Sequence, residues 1–277
     1  MTEDSPANAT ASPIAIAVFD IDGVVRDVGG SYRRALADTV EQFTGQLSSV
    51  AYRPTAADVD QLKGEGLWNN DWEASRELIY RHLEQQGMSR AQCPLDYDQL
   101  VNFFQSRYRG GSLDPAAWAG YITQEPLLMA PTYLPTLTHH RIAWGFFSGA
   151  MRDEAFYVLR RIGVEQPPLV AMEDAPGKPD PTGLMQVVQA ISPEPYPVIY
   201  AGDTVADMVT ITRARAAYPD RQWIAMGILP PHVQTDTAYC DRYAHALTQA
   251  GASTVLTSVN ALTAQRVQSL IESPPQG

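Results

Sequence analysis

The stretch Ile14 to Asp27, IAIAVFDIDGVVRD, constrains this chain more than any other. Its apolar run, Ile14 to Phe19, reads as a buried strand that leads directly into Asp20, Ile21, Asp22 and Gly23. Side chains alternate along a strand, so Asp20 and Asp22 share one face while Ile21 turns back to the core. Two carboxylates side by side at the end of a buried strand are costly unless a cation or a proton compensates them. Gly23 then lets the backbone turn sharply without a side-chain penalty. This chemistry calls for a metal.

The chain beyond that stretch falls into two patterns. From Ser31 the apolar residues Tyr32, Ala35, Leu36, Val40 and Phe43 share one helical face, with Ser31 as the expected N-cap and Gly45 as the expected stop. Further helices are expected over Thr55–Leu62, from a cap at Asn70 to about Gln86, and over Leu95–Tyr108. Strand signals are nearly absent from 31 to about 125. They return at Arg141–Phe147, Pro168–Met172, Pro197–Ala201, Gln222–Ile228 and, more weakly, Thr254–Leu256. Helical stretches at about 152–163, 181–191, 205–217 and 237–250 separate them. Such alternation implies an α/β fold, a Rossmann-like parallel sheet with helices on both faces. The helical interval after the first strand is then an insertion. Residues 1–28 and 128–277 form the expected core, with 1–12 as a disordered tail, and 29–127 form a helical unit.

Ligands of an open parallel sheet sit at the carboxyl ends of its strands. The expected strand exits carry Asp20 and Asp22, then Ser148-Gly149, then Gly177-Lys178-Pro179-Asp180, then Gly202-Asp203 with Asp207 one helical turn later. In isolation each has an ordinary reading. Ser148 suits a helix N-cap, Lys178 a solvated loop charge, and Asp203 with Asp207 a capped helix start. Yet Lys63 and Lys178 are the sole lysines among 20 basic residues, and lysine offers the compact ammonium that arginine does not.

Taken together, these positions resemble motifs I to IV of the haloacid dehalogenase (HAD) superfamily, in order and in place, and specifically its phosphatase branch. The resemblance implies an Mg²⁺-dependent phosphatase acting on a small phosphorylated metabolite of the sugar or polyol phosphate kind. It makes Asp20 the nucleophile, forming an aspartyl-phosphate, and Asp22 the general acid/base. It makes Asp20, Asp203 and the backbone carbonyl of Asp22 the metal ligands. Ser148 and the Gly149 amide would hold phosphoryl oxygens at a helix start, and Lys178 would neutralise nucleophile and phosphoryl group. Asp207 would act through a bound water or by orienting Lys178. Four aspartates against one lysine would repel a phosphate without the metal and a proton.

The insertion resembles the helical C1 cap of HAD subfamily I, which closes over the site. Lys63 to Trp72 lies where related enzymes carry a specificity loop, and Leu62-Lys63-Gly64 resembles part of the cap of β-phosphoglucomutases. Lys63, Trp68, Asn69 and Asn70 are therefore the candidate substrate contacts, with Arg26 and Arg33 behind them; Trp68 and Trp72 as cap core is the competing reading. The run Gly64 to Trp72 is also similar to a sparsely characterised HAD group, some of whose members are named for histidine biosynthesis. Motif II departs from the family, reading Phe147-Ser148-Gly149 where Ser/Thr-Asn is common. Asp22 argues against dehalogenation, since haloacid dehalogenases lack it. Lys63 keeps a phosphonatase open. A phosphosugar mutase and a non-catalytic HAD-like binding protein remain the alternatives.

Composition narrows the partners. The formal charge of −11 argues against nucleic acid or an anionic membrane surface. Cys93 and Cys240 lack metal-site spacing, so a disulfide framework or zinc site is not expected. The N-terminal MTEDSPANATASP has no basic region followed by an apolar stretch, so it reads as neither signal peptide nor span. A cytoplasmic protein is expected. The sequence does not give the oligomeric state.

Overall fold

The structure is a computed structural model that describes residues 12–273. The tail expected at 1–12 falls almost wholly outside the described residues. Six parallel strands form one sheet in the order β3-β2-β1-β4-β5-β6. They are β1 (Ala15–Phe19), β2 (Ile142–Phe147), β3 (Leu169–Val170), β4 (Val198–Gly202), β5 (Trp223–Ile228) and β6 (Thr254–Leu256).

Period-two alternation fills both sides of this sheet. Ala15, Ala17 and Phe19 of β1 and Ile199 and Ala201 of β4 pack on one face. The helices there are α5 (Tyr133–His139), α6 (Arg152–Arg161) and α10 (Ala264–Glu272). Ile16, Val18, Val198 and Tyr200 face the other way, against α7 (Thr182–Ile191), α8 (Val205–Ala217) and α9 (Thr237–Gln249). Burial on both faces explains why β1 and β4 read as continuous apolar runs.

Between β1 and α5 lie α1 (Tyr32–Leu47), α2 (Ala56–Lys63), α3 (Asp71–Gln85) and α4 (Tyr97–Tyr108). They enclose a separate apolar cluster that includes Leu36, Val40, Leu62, Ile79, Leu83, Leu100 and Phe104. Burying a leucine or phenylalanine there contributes about 2 kcal/mol, so the four helices carry a core of their own.

Several expectations need correction. Ser31 occupies the N-cap position of α1 as expected, but its side chain makes no capping bond; its hydroxyl donates to Glu125 Oε1 at 2.6 Å. Gly45 does not stop α1, which continues to Leu47 and ends where the Ser48 N–H reaches Thr44 O. The strand expected over 168–172 shrinks to Leu169–Val170, because the Ala171 N–H turns aside to Asp174 Oδ2 at 2.8 Å. Helices α5 and α10 were not expected at all. Among the described residues no helix is long and apolar enough to cross a membrane.

Candidate active site

The strand order reverses between β1 and β4: the chain moves outward through β2 and β3, then returns to the other side of β1. Their carboxyl ends therefore border the crevice where such sheets bind ligands. Phe19 pairs in register with Ala201, and the Asp20 N–H donates to Ala201 O at 2.9 Å. That register brings Asp20, beyond β1, beside Asp203, beyond β4. Carboxylate oxygens of Asp20, Asp203 and Asp207 all lie within 4.8 Å of one another.

Gly23 permits this approach. Its φ of +73° is left-handed, and a Cβ at this position would sit 2.0 Å from Asp203 Oδ2. No side chain other than hydrogen fits.

Lys178 is buried and bridges the cluster, with Nζ 2.8 Å from Asp20 Oδ1 and 2.7 Å from Asp207 Oδ1. Its ammonium also lies 5.3 Å from the Phe147 ring centroid and 5.5 Å from that of Tyr200, within reach of a cation–π interaction. Burial works to lower the Lys178 pKa, but the charges of Asp20 and Asp207 outweigh it and hold it above the ordinary value. The lysine is therefore charged at neutral pH.

The three aspartates differ in environment. Burial pushes the Asp20 carboxyl up to about 7, against the pull of Lys178 and with Asp207 and Asp22 adding to the rise. Burial also raises Asp203 well above the usual range, with Asp207 and Asp20 adding to it. Its carboxylate takes no hydrogen bond or ion pair from any described residue. Asp207 is the reverse case: burial is overcome by Lys178, Thr204 and Tyr200, and its pKa falls. Its Oδ1 accepts the Tyr200 hydroxyl at 2.7 Å, and its Oδ2 accepts Thr204 N–H at 2.9 Å and Thr204 Oγ1–H at 2.6 Å. With those positions filled, Asp20 and Asp203 are the carboxylates left to receive a cation. A buried pair of hard oxygen donors suits a divalent ion such as Mg²⁺.

Asp22 stands apart from that cluster. Its side chain is 25% exposed, and its Oδ1 accepts Arg26 Nε–H at 2.6 Å. Ser148 and Gly149 follow β2, and the Ser148 hydroxyl oxygen accepts the Ala150 N–H at 3.1 Å. Helix α6 begins only at Arg152, with Met151 at its N-cap, so Ser148 and Gly149 occupy the loop before the helix rather than its first turn. A dipole effect confined to the first turn is weaker there.

The helical insertion supplies the opposite wall. Asn69 covers Gly149: a Cβ on that glycine would lie 2.9 Å from Asn69 Nδ2. Lys63, at the end of α2, pairs with Asp71 at 2.8 Å. Lys63, Asp71, Arg33 and Asn69 line a cavity together with Asp20, Asp22 and Asp203. A second cavity, lined by Leu67, Asn70, Ser148 and Lys178, shares Asn69 and Gly149 with the first. Asn70 also caps α3, accepting the Trp72 N–H at 2.9 Å.

Two of the expected contacts do not face either cavity. Trp68 packs beside the insertion's apolar cluster and donates its indole N–H to Glu65 at 2.8 Å; exposed Leu67 takes its place at the rim. Arg26 is fully buried between Asp22 and Glu125. Thr204, Tyr200, Tyr32 and Asp71 were missed. Thr204 had a signal, since Thr followed three residues later by Asp is a capping-box pattern, and the box forms at the start of α8.

Comparisons with known proteins agree with this geometry. A curated imidazoleglycerol-phosphate dehydratase from Phytophthora nicotianae is 29% identical over 254 residues, covering 89% of this chain and 51% of that protein. The chain thus spans about half the length of the curated relative it matches. A HAD family hydrolase from Deinococcus radiodurans R1, solved with bound phosphate and sodium, superposes with a TM-score of 0.59 at 18% identity, covering 95% of this chain and 99% of that one. The phosphatase Tt82 from Thermococcus thioreducens gives 0.55 at 23%, covering 76% and 92%. A putative beta-phosphoglucomutase from Thermotoga maritima gives 0.56 at 17%, covering 92% and 99%. At such identities these three speak for the fold. The model of the haloacid dehalogenase-like hydrolases matches residues 14–215, well over half of the chain and all the strand exits described above, and to that family of hydrolases the chain belongs.

Proposed function

We propose that this hydrolase is a Mg²⁺-dependent phosphatase that cleaves a small phosphorylated metabolite through an aspartyl-phosphate on Asp20. The observation that carries the reading is the Lys178 ammonium held between Asp20 and Asp207 while Asp203 has no partner among the described residues. A purely structural ion pair would leave no such carboxylate uncompensated.

A divalent cation bound by Asp20, Asp203 and the Asp22 carbonyl would neutralise charge on the phosphoryl oxygens. Lys178 opposes the burial that raises the Asp20 pKa and shields the incoming phosphoryl group, while Asp207 fixes Lys178 in place. Asp20 attacks phosphorus as Asp22 gives its proton to the departing alkoxide. Asp22 then takes a proton from water, which attacks the acyl phosphate and regenerates Asp20. Ser148 and the Gly149 amide hold phosphoryl oxygens. Residues 29–127 act as a cap: they exclude water and present Lys63, Asn69 and Asn70 to the leaving group.

The test is phosphate release from p-nitrophenyl phosphate with Mg²⁺. Asp20→Asn should lower it by about a thousandfold or more; equal rates would remove Asp20 as nucleophile. A panel of sugar and polyol phosphates, extended to imidazoleglycerol phosphate because of the named relative, addresses the substrate. Phosphoryl retention with activation by a bisphosphate would assign a mutase instead.

A further inference from the structure

Arg26 has no part in the chemistry outlined so far, yet among the described residues it is the largest fully buried side chain. Its Nε–H donates to Asp22 Oδ1 at 2.6 Å and its Nη1–H to Glu125 Oε2 at 3.0 Å. Glu125 Oε1 in turn accepts the Ser31 hydroxyl at 2.6 Å and the Tyr108 hydroxyl at 3.2 Å. Ser31 immediately precedes α1 and Tyr108 ends α4. The backbone of Arg26 forms bridges to both Asp22 and Leu127. Arg26 therefore sits where the chain leaves the sheet for the insertion and where it comes back.

Stability alone does not account for this arrangement. Arg26 Nη2 is buried without a hydrogen-bond partner among the described residues, and such an orphan donor costs about 1–3 kcal/mol. Apolar side chains of similar volume would join the two segments at least as well. What an apolar pair lacks is a grip on Asp22. Arginine's rigid planar fork presents separate nitrogens, Nε to Asp22 and Nη1 to Glu125, in a fixed mutual geometry. Only Oδ1 of Asp22 is engaged, on a side chain that lines the cleft, so Oδ2 remains for proton transfer.

We propose that Arg26, braced by Glu125, is a positioning residue that holds the Asp22 carboxylate in its proton-transfer orientation and ties that orientation to the two linkers of the insertion. This rests on the phosphatase reading above. Displacing a catalytic group by about 1 Å can cost about a hundredfold. The loss should fall on the step that needs Asp22 most. With p-nitrophenyl phosphate the leaving anion departs without a proton, so formation of the aspartyl-phosphate is spared. Activation of water is not.

The experiment is rapid-mixing kinetics of R26M/E125Q with p-nitrophenyl phosphate and Mg²⁺. The double substitution removes both buried charges together, so neither is left uncompensated. The expected result is a burst of p-nitrophenolate of about one per active site at near wild-type rate, then a steady state slowed about 10–100-fold, with KM within about threefold. A folded variant with wild-type steady state, or with burst and steady state slowed alike, overturns the proposal. A double variant that does not fold assigns the pair to stability and also overturns it. If the wild-type protein is inactive, or Asp20→Asn is as active as wild type, the phosphatase reading fails and this inference falls with it. If both controls behave, failure of the burst removes the Arg26 role alone.

Discussion

Asp203, which is buried, and Asp60, whose side chain is 7% exposed, both lie near Arg33, and they live in opposite electrostatic worlds. Asp60, on α2, pairs with Arg33, accepts a hydrogen bond from His232 at 2.8 Å and accepts another from the Tyr239 hydroxyl. Burial works to raise its pKa, but the His232 hydrogen bond and the Arg33 charge prevail and pull it down to about 2. Asp203 has no such donors, and burial beside Asp207 and Asp20 drives its pKa up. One carboxylate stabilises the fold by joining the insertion to the segment before α9. The other has only burial and like charge to raise it, with no hydrogen-bond donor among the described residues to offset them. Unfavourable burial of this kind marks a site of chemistry more reliably than acidity does.

Asp203→Asn should show the largest effect. Activity should fall by about a thousandfold or more, because a cation ligand is lost. Yet the metal-free variant should be more stable than metal-free wild type at pH 8, because a buried carboxylate without a partner is removed. The pH dependence has a definite sign. A carboxyl whose folded pKa is raised, as Asp20 is from 3.8 to about 7, binds its proton more tightly in the folded chain. Metal-free wild type should therefore lose stability as pH rises from about 4 through about 7. Thermal melts in EDTA should show that fall, shallower in the variant, and Mg²⁺ should raise the melting temperature of wild type alone. A destabilised Asp203→Asn protein in EDTA would break the contrast.

Asp60→Asn should act in the other direction and more mildly. Its depressed pKa contributes stability above the unfolded value of 3.8 that is lost as pH falls toward about 2. Denaturant unfolding at pH 7 should show a loss of about 2 kcal/mol, and the wild-type advantage should disappear near pH 2. A variant as stable as wild type at pH 7 would mean that the seam contributes nothing.

The smallest effects sharpen the edge of the cleft. Asn69→Ala should raise KM about tenfold, the worth of one hydrogen bond, whereas Trp68→Ala should change it by less than about threefold. The reverse order in steady-state kinetics would put the substrate against Trp68 after all.

Much of this architecture was legible in the residues because its causes are local. Strands β1, β4 and β5 are apolar runs ending in Gly, Asp or Pro, and the strand-exit aspartates follow from reading those ends. Helix α5 escaped because Pro131 and Pro135 punctuate it, masking a short apolar face. Helix α10 escaped because it is only nine residues long, although Thr263 caps it by accepting the Arg266 N–H. Gly45 misled because tertiary packing of Phe43 and Thr44 outweighs a propensity penalty of about 1 kcal/mol. The polar ties could not be read at all. Arg26 and Glu125 lie 99 positions apart, and Asp60 and His232 lie 172 apart; no periodicity reaches so far. Arg26, expected behind the substrate contacts, is instead fully buried between Asp22 and Glu125.

The outgoing and returning segments meet side by side. The Asp27 N–H reaches Pro126 O at 2.9 Å, and the Leu128 N–H reaches Val25 O at 2.8 Å. This seam fastens one side of the four-helix insertion, and the Asp60 ties to His232 and Tyr239 fasten it at a second place. A swing about the seam would have to break those Asp60 ties as well, and Arg26, seated on the seam between Asp22 and Glu125, would be displaced least by it.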